Sequence, residues 1–324
     1  MSRRSLCVIL VLLAWLMFPY TSPAPLIYRP GEGWTYEMPG SKGSWHKDRA
    51  KDQLEFAQKV FDERSYNLAL KAAKRVVLVW PLSDYAPQAQ YLVGRCREAK
   101  KQDERAFDAY QEILEKYPKI ANYQEIQQRQ FEIATRFLNG QWFKLLGYIP
   151  VFPSMEKTAG MFEKLVKSGP YSDVAPQAQM SIGAAREKQK DYPLAVKAYE
   201  TAADRYNEQK QVASDALYKA GMAYNKQAKT GEYDQNISAQ AIATFNDFAT
   251  LYPDDPRVPE VQKTIMTLKA EQARGNFKIA RFYEKGRHWD GALIYYNEVL
   301  LKDAGSPLAA AARQRIDVLK QRQN

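Results

Sequence analysis

Few residues in this chain of 324 could do chemistry, and none of them stand together. His46 and His288 are the only histidines, and Cys7 and Cys96 the only cysteines. No histidine lies near a cysteine, so the chain lacks a metal-ligand spacing and a thiol paired with an imidazole base. Gly31-Glu32-Gly33 sits in a Pro-rich stretch with no strand expected before it, which is the wrong setting for a phosphate loop. No Gly-x-Ser-x-Gly turn is present. The Asp254-Asp255 pair precedes an apolar run, where an acid caps the start of a helix. The expectation is a chain that is not an enzyme and holds no cofactor or metal.

Composition supports a folded chain: hydrophobic residues make up 45%, and the formal net charge is +10. The basic residues are scattered, with no basic arm or nucleic-acid motif, so no nucleic-acid partner is expected. Residues 1–24 read as a signal peptide. Arg3 and Arg4 precede the 13-residue apolar run Leu6 to Phe18, which is short for a membrane span, and Ser22 and Ala24 offer small residues for cleavage. Pro25 directly after that bond leaves the cut site open, and an uncleaved anchor stays open with it. Cys96 has no partner once Cys7 is removed, and reads as a small core residue.

The elements that organise the chain recur. Gly94, Ala106, Tyr110, Ile113 and Pro118 are spaced as two helices joined by a short turn, with small residues at the crossing and a ring above them. Proline stops the second helix because it lacks the N–H donor. Gly183, Ala195, Tyr199 and Ala202 repeat that spacing, and APQAQ recurs at Ala86 and Ala175. Ala57, Ala69, Ala73, Val76 and Pro81 make an earlier copy, and Ala280, Ala292, Tyr296 and Val299 the last. Ala134 pairs with Thr158, Phe162, Leu165 and Pro170 across an insertion; Gly221 pairs with Ala241, Phe245, Phe248 and Pro253 across a shorter one. The pattern resembles the tetratricopeptide repeat. The fold class expected is all-α: a right-handed superhelical solenoid of about six helix pairs.

The expected organisation is as follows. Residues 25–46 form an extended Pro/Gly/aromatic strap, packed on the first repeats or docking a partner. Residues 47–256 carry repeats 1–5, with an apolar insertion at 140–154. Residues 257–324 hold a long helix from Val258 to Lys285, the last repeat and a capping helix from Pro307, with Gly275 marking a break in the long helix. The insertion GQWFKLLGYIPVFPS has Lys144 as its only charge, and an ordinary turn is short and polar. Such a run folds back on the repeats, meets a partner or meets a membrane.

A solenoid presents its first helices along a groove. The repeat phase puts Gln88, Tyr91 and Arg95, Gln128 and Phe131, Gln177 and Met180, and Tyr218 and Met222 on that side. Rings bury area and amides bond a backbone, so these residues suit an extended peptide. Arg281 and Lys285 share a helix face, and Arg287 follows in the turn, leaving an exposed basic cluster while Tyr283 faces the core.

From Lys47 to Leu319 the chain resembles the BamD-like family of outer-membrane assembly proteins. The resemblance is carried most specifically by ATFNDFATLYPDDPRVPEVQ and LKAEQARGNFKIARFYEKGRHWDGALIYYNEVL. It implies a position in the periplasm, at the inner face of the outer membrane. It also implies partners: a β-barrel insertase with POTRA domains, and unfolded outer-membrane proteins. Arg281, Lys285 and Arg287 would dock an acidic patch on the insertase. The family's lipidated Cys, directly after the apolar run, has no counterpart here, and six repeats stand where the family has about five. The other reading of the residues is a different envelope adaptor, associated with cell division or secretion.

Overall fold

The computed structural model describes residues 26–29, 33–36, 45–145, 149–229 and 235–323. The expected signal peptide and its cleavage site lie outside the described residues. The chain divides into two compact units, Met1–Ile120 and Ala121–Asn324.

In the first unit, β1 (Leu26–Arg29) pairs antiparallel with β2 (Gly33–Tyr36). A strand therefore does precede Gly31-Glu32-Gly33, contrary to the sequence reading. The chain returns directly as β2, so no helix N-terminus follows to hold a phosphate. Helices α1 (Ala50–Asp62), α2 (Tyr66–Val79), α3 (Ala86–Ala99) and α4 (Asp103–Lys116) then pack each against the next. The end of the strap meets α1: buried Gln53 donates to the Trp45 carbonyl at 3.1 Å and accepts from the Lys47 N–H at 2.8 Å.

The second unit runs α5 (Tyr123–Leu138), the hairpin β3 (Phe143–Leu145) and β4 (Ile149–Phe152), α6 (Met155–Ser168), α7 (Ala175–Lys188) and α8 (Tyr192–Arg205). It continues through α9 (Lys210–Lys229), α10 (Gln235–Leu251), α11 (Val258–Lys285), α12 (Trp289–Lys302) and α13 (Pro307–Gln323). Successive helices pack in order here too, and α13 also touches α11. Two expectations need correction. Helix α11 does not break at Gly275; a Cβ there would stand 2.8 Å from Gln235 Nε2, so the glycine serves close approach. Asp255 does not cap α11 either. Its Oδ1 accepts from the Arg257 N–H at 3.0 Å, an Asx turn ahead of the helix.

The repeat spacing has a direct cause at the three crossings where the small residue is glycine. A Cβ on Gly94 would lie 2.3 Å from the Tyr110 ring, on Gly183 2.4 Å from Tyr199, and on Gly221 2.5 Å from Phe245. The first helix drops its side chain so that the ring of the second can lie against bare backbone. Fully burying such a ring contributes about 1.5–3 kcal/mol.

Where the ring over the small residue is a tyrosine, its hydroxyl also needs an acceptor, and the first helix supplies it one turn after that small residue. Tyr110, Tyr199 and Tyr296 donate to Glu98, Glu187 and Glu284 at 2.9, 2.7 and 2.7 Å. Where the ring is Phe245 or Phe162, with no hydroxyl to satisfy, Asn225 and Leu138 stand at that position. The duplicated APQAQ has a similar account: Gln90 and Gln179 tie its helix to the Ala109 and Ala198 carbonyls at 3.2 and 3.0 Å.

Candidate partner-binding site

Several groove candidates are engaged within their own unit. In the first, Arg95 Nη1 donates to Tyr91 Oη at 3.2 Å and its guanidinium lies 5.6 Å from the Phe61 ring, while Tyr91 meets Tyr110 at 6.0 Å. The two residues share a face of α3 as expected, half-buried against each other. In the second unit Phe131 packs on Phe162 at 5.8 Å. Exposed Gln128 donates to Glu132 at 3.0 Å. Met180 is buried, Gln177 is exposed, and Met222 packs with the Phe245 cluster.

Tyr218 is covered by Arg257, whose guanidinium lies 4.7 Å above its ring and pairs with Asp215 and Asp255, both at 2.7 Å. Those hydrogen bonds raise the Arg257 pKa and hold the Asp255 carboxyl below its ordinary value. Burial pushes the Cys96 thiol up to about 12, which suits the core role and not a nucleophile.

The insertion is divided in its contacts. Phe143 is buried and stacks on Phe137 at 4.2 Å, so that part folds back. Trp142 and Phe152 remain 52% and 48% exposed, and Lys157 lies 5.0 Å from the Phe143 ring and 5.9 Å from that of Phe152. Residues 146–148 lie outside the described residues.

The basic cluster is where the structure assembles something open. Arg281 and Lys285 line a cavity of about 720 Å³ bounded by α11, α12 and α13. Among the described residues, neither forms an ion pair. Phe282, on the same rim, is 74% exposed. Tyr283 turns away and stacks on Tyr295 at 5.5 Å, as its phase implied. Burial raises the Tyr296 phenol, which stays a neutral donor to Glu284.

Arg287 is exposed but does not line the cavity; it has a turn to make. Its φ is +60°, and Arg64, Lys101 and Lys190 hold the same left-handed place at +61°, +55° and +62° in their repeats. There the Arg287 N–H bonds the Glu284 carbonyl and the His288 N–H the Tyr283 carbonyl, closing the helix end.

The sequence reading missed Lys278, Phe277, Trp289 and Arg322 as neighbours of this cluster. Phe277, Lys278, Arg281, Phe282 and Lys285 fall at helical spacing on one stripe of α11, which was a usable signal. Arg322 comes from α13, and nothing local predicts that approach. Among the described residues no group of three or more His, Cys, Asp or Glu is placed to hold a metal ion, and no helix is long and apolar enough to cross a membrane.

Paired helices crossing at a small residue beneath an aromatic ring define a tetratricopeptide-repeat protein, and residues 88–119 match the tetratricopeptide repeat family. A longer match, over residues 153–321, covers just over half of the chain and is to YfiO, an outer membrane lipoprotein family. The chain belongs to that family, and is a BamD-like tetratricopeptide-repeat protein. Membership associates it with the bacterial envelope, and proteins of these two families are typically non-catalytic scaffolds.

No curated protein matches the chain. Among solved structures it is similar to the C-terminal part of a tetratricopeptide repeat-containing protein from Cytophaga hutchinsonii, at 15% identity over 82% of this chain and 88% of that one, with a TM-score of 0.35. A tetratricopeptide repeat protein from Parabacteroides merdae is similar at 11% identity over 84% of this chain and 98% of that one, with a TM-score of 0.31.

Proposed function

We propose that this chain is a non-catalytic scaffold of outer-membrane β-barrel assembly, working in the periplasm at the inner face of the outer membrane. It binds an insertase through that protein's POTRA domains, and it binds unfolded barrel proteins. The observation that carries the reading is the basic cavity of α11. Arg281 and Lys285 stand open within the segment that matches the outer membrane lipoprotein family. Cations clustered against a complementary acidic patch raise the association rate and make it salt-sensitive, whereas an isolated exposed pair contributes about 0–1 kcal/mol. Tyr91, Arg95, Gln128, Phe131 and Tyr218 are proposed as contacts for extended chains, with Gln128 the most accessible of them. Affinity purification of the tagged chain from envelope extracts, followed by mass spectrometry, tests the reading. A barrel insertase among the captured proteins supports it. Its absence, with cell-division or secretion components in its place, would assign the chain to another envelope assembly.

A further inference from the structure

The α11 cavity offers two chemistries side by side. One is cationic: Lys278, Arg281 and Lys285 make no ion pair among the described residues, and Arg322 lies 5.9 Å from the Trp289 ring. Arg315 also lines the space but is already held by Glu284, to which its Nε donates at 3.3 Å. Among the described residues, Glu284 is the only acid in the wall, and it also accepts from Tyr296 at 2.7 Å. Among the described residues, no further carboxylate lines the wall beside the other cations. The second chemistry is apolar: Phe282 is 74% exposed, with Phe277 and Trp289 on the same wall.

We infer that this cavity takes a peptide segment in which carboxylates flank one large, preferably aromatic, side chain; the inference rests on the scaffold reading. The charges demand an anion, and planar guanidinium groups bind carboxylates in bidentate fashion. A bare anion would leave the exposed phenylalanine and its neighbours unused. A neutral apolar ligand would bury cations without partners, which is costly. A volume of about 720 Å³ is within the range of a site that swallows one side chain and its immediate flanks. The ring would settle against Phe277, Phe282 and Trp289, the carboxylates would reach Arg281, Lys285 and Lys278, and water would be excluded between them.

The test is fluorescence anisotropy of the full chain with a labelled peptide, Gly-Asp-Glu-Phe-Asp-Glu-Gly. Two control peptides replace the ring by alanine or the acids by their amides. Inorganic phosphate and phosphatidylglycerol vesicles serve as rival probes. The expected result is saturable binding that weakens about tenfold or more with either control peptide. The same loss is expected in the Arg281→Glu, Lys285→Glu double variant and in Phe282→Ala, with helicity unchanged because all three side chains are exposed. Equal affinity for the ring-less peptide, or binding indifferent to the variants, would overturn the inference. So would vesicles or phosphate binding through Arg281 and Lys285 while the peptide does not. The two readings fail separately. If the peptide does not bind but the tagged chain still captures the insertase, the cavity inference falls and the scaffold stands. If no insertase is captured while the peptide binds as expected, the scaffold reading falls and the ligand chemistry stands.

Discussion

The crossing of α7 with α8 and the cavity beside α11 use the same residue types to opposite ends. At the crossing Tyr199 lies against bare Gly183 and donates to Glu187 at 2.7 Å, and Glu187 pairs with Lys226 at 2.8 Å. The ring, the acid and that lysine all find partners within the unit. In the cavity a phenylalanine is exposed, and three cations form no ion pair among the described residues. Helix α11 shows the same contrast along its own length. Arg257 at its start is held by two carboxylates and two rings, while Arg281 and Lys285 near its end are open. Side chains satisfied within the chain carry stability. Those left open near the end of α11 are the ones proposed to carry recognition. Substitutions in the two regions should therefore separate into fold effects and binding effects.

The largest fold effect is expected for Gly183→Leu. Even a Cβ would stand 2.4 Å from the Tyr199 ring, so overpacking should cost about 1–3 kcal/mol or more and lower the Tm. An unchanged Tm would remove the crossing as the organising contact. Tyr199→Phe keeps the packing and deletes one hydrogen bond to an acid that retains Lys226. A loss of about 0.5–1.5 kcal/mol in urea unfolding is expected.

Asp255 tests the satisfied end of α11 through pH. Its folded pKa lies below the unfolded value, about 3.9. Its stabilisation is therefore complete above that value and lost as pH falls through the lower, folded one. Asp255→Asn should flatten the acid limb of the stability curve; an acid limb identical to wild type would mean that the Arg257 contact does not form in solution. The smallest fold effect is expected for Phe282→Ala, within about 0.5 kcal/mol, because the ring is exposed. A loss of several kcal/mol would make Phe282 a core residue and close the cavity.

The small residue, ring and proline spacing made the helix pairs legible, since each position answers a steric demand within about 34 residues. Tyr66 to Val79 and Val258 to Lys285 are helices with those ends. The glutamates under the tyrosine hydroxyls were equally readable in principle, twelve residues before each ring, but an acid on a helix reads first as a solvated face. Gly275 was misread because helix propensity weighs a glycine by its own cost, whereas its value is set by Gln235, forty residues earlier. The open site was half legible. Arg281 and Lys285 follow from spacing on one helix, but their joining to Trp289 and Arg322 needs the packing of three helices. Sequence phase put Tyr91, Phe131 and Tyr218 on the groove side, but it could not show that Arg95, Phe162 and Arg257 lie against them within the chain.

The most direct measurement is a titration of the full chain against the purified periplasmic POTRA domains of the insertase, at low and high salt, with wild type and the Arg281→Glu, Lys285→Glu variant. The account predicts binding that weakens with salt and is lost on charge reversal, while circular dichroism shows unchanged helicity. Binding that survives both reversals, at equal strength in low and high salt, would contradict it and return these residues to an ordinary solvated surface.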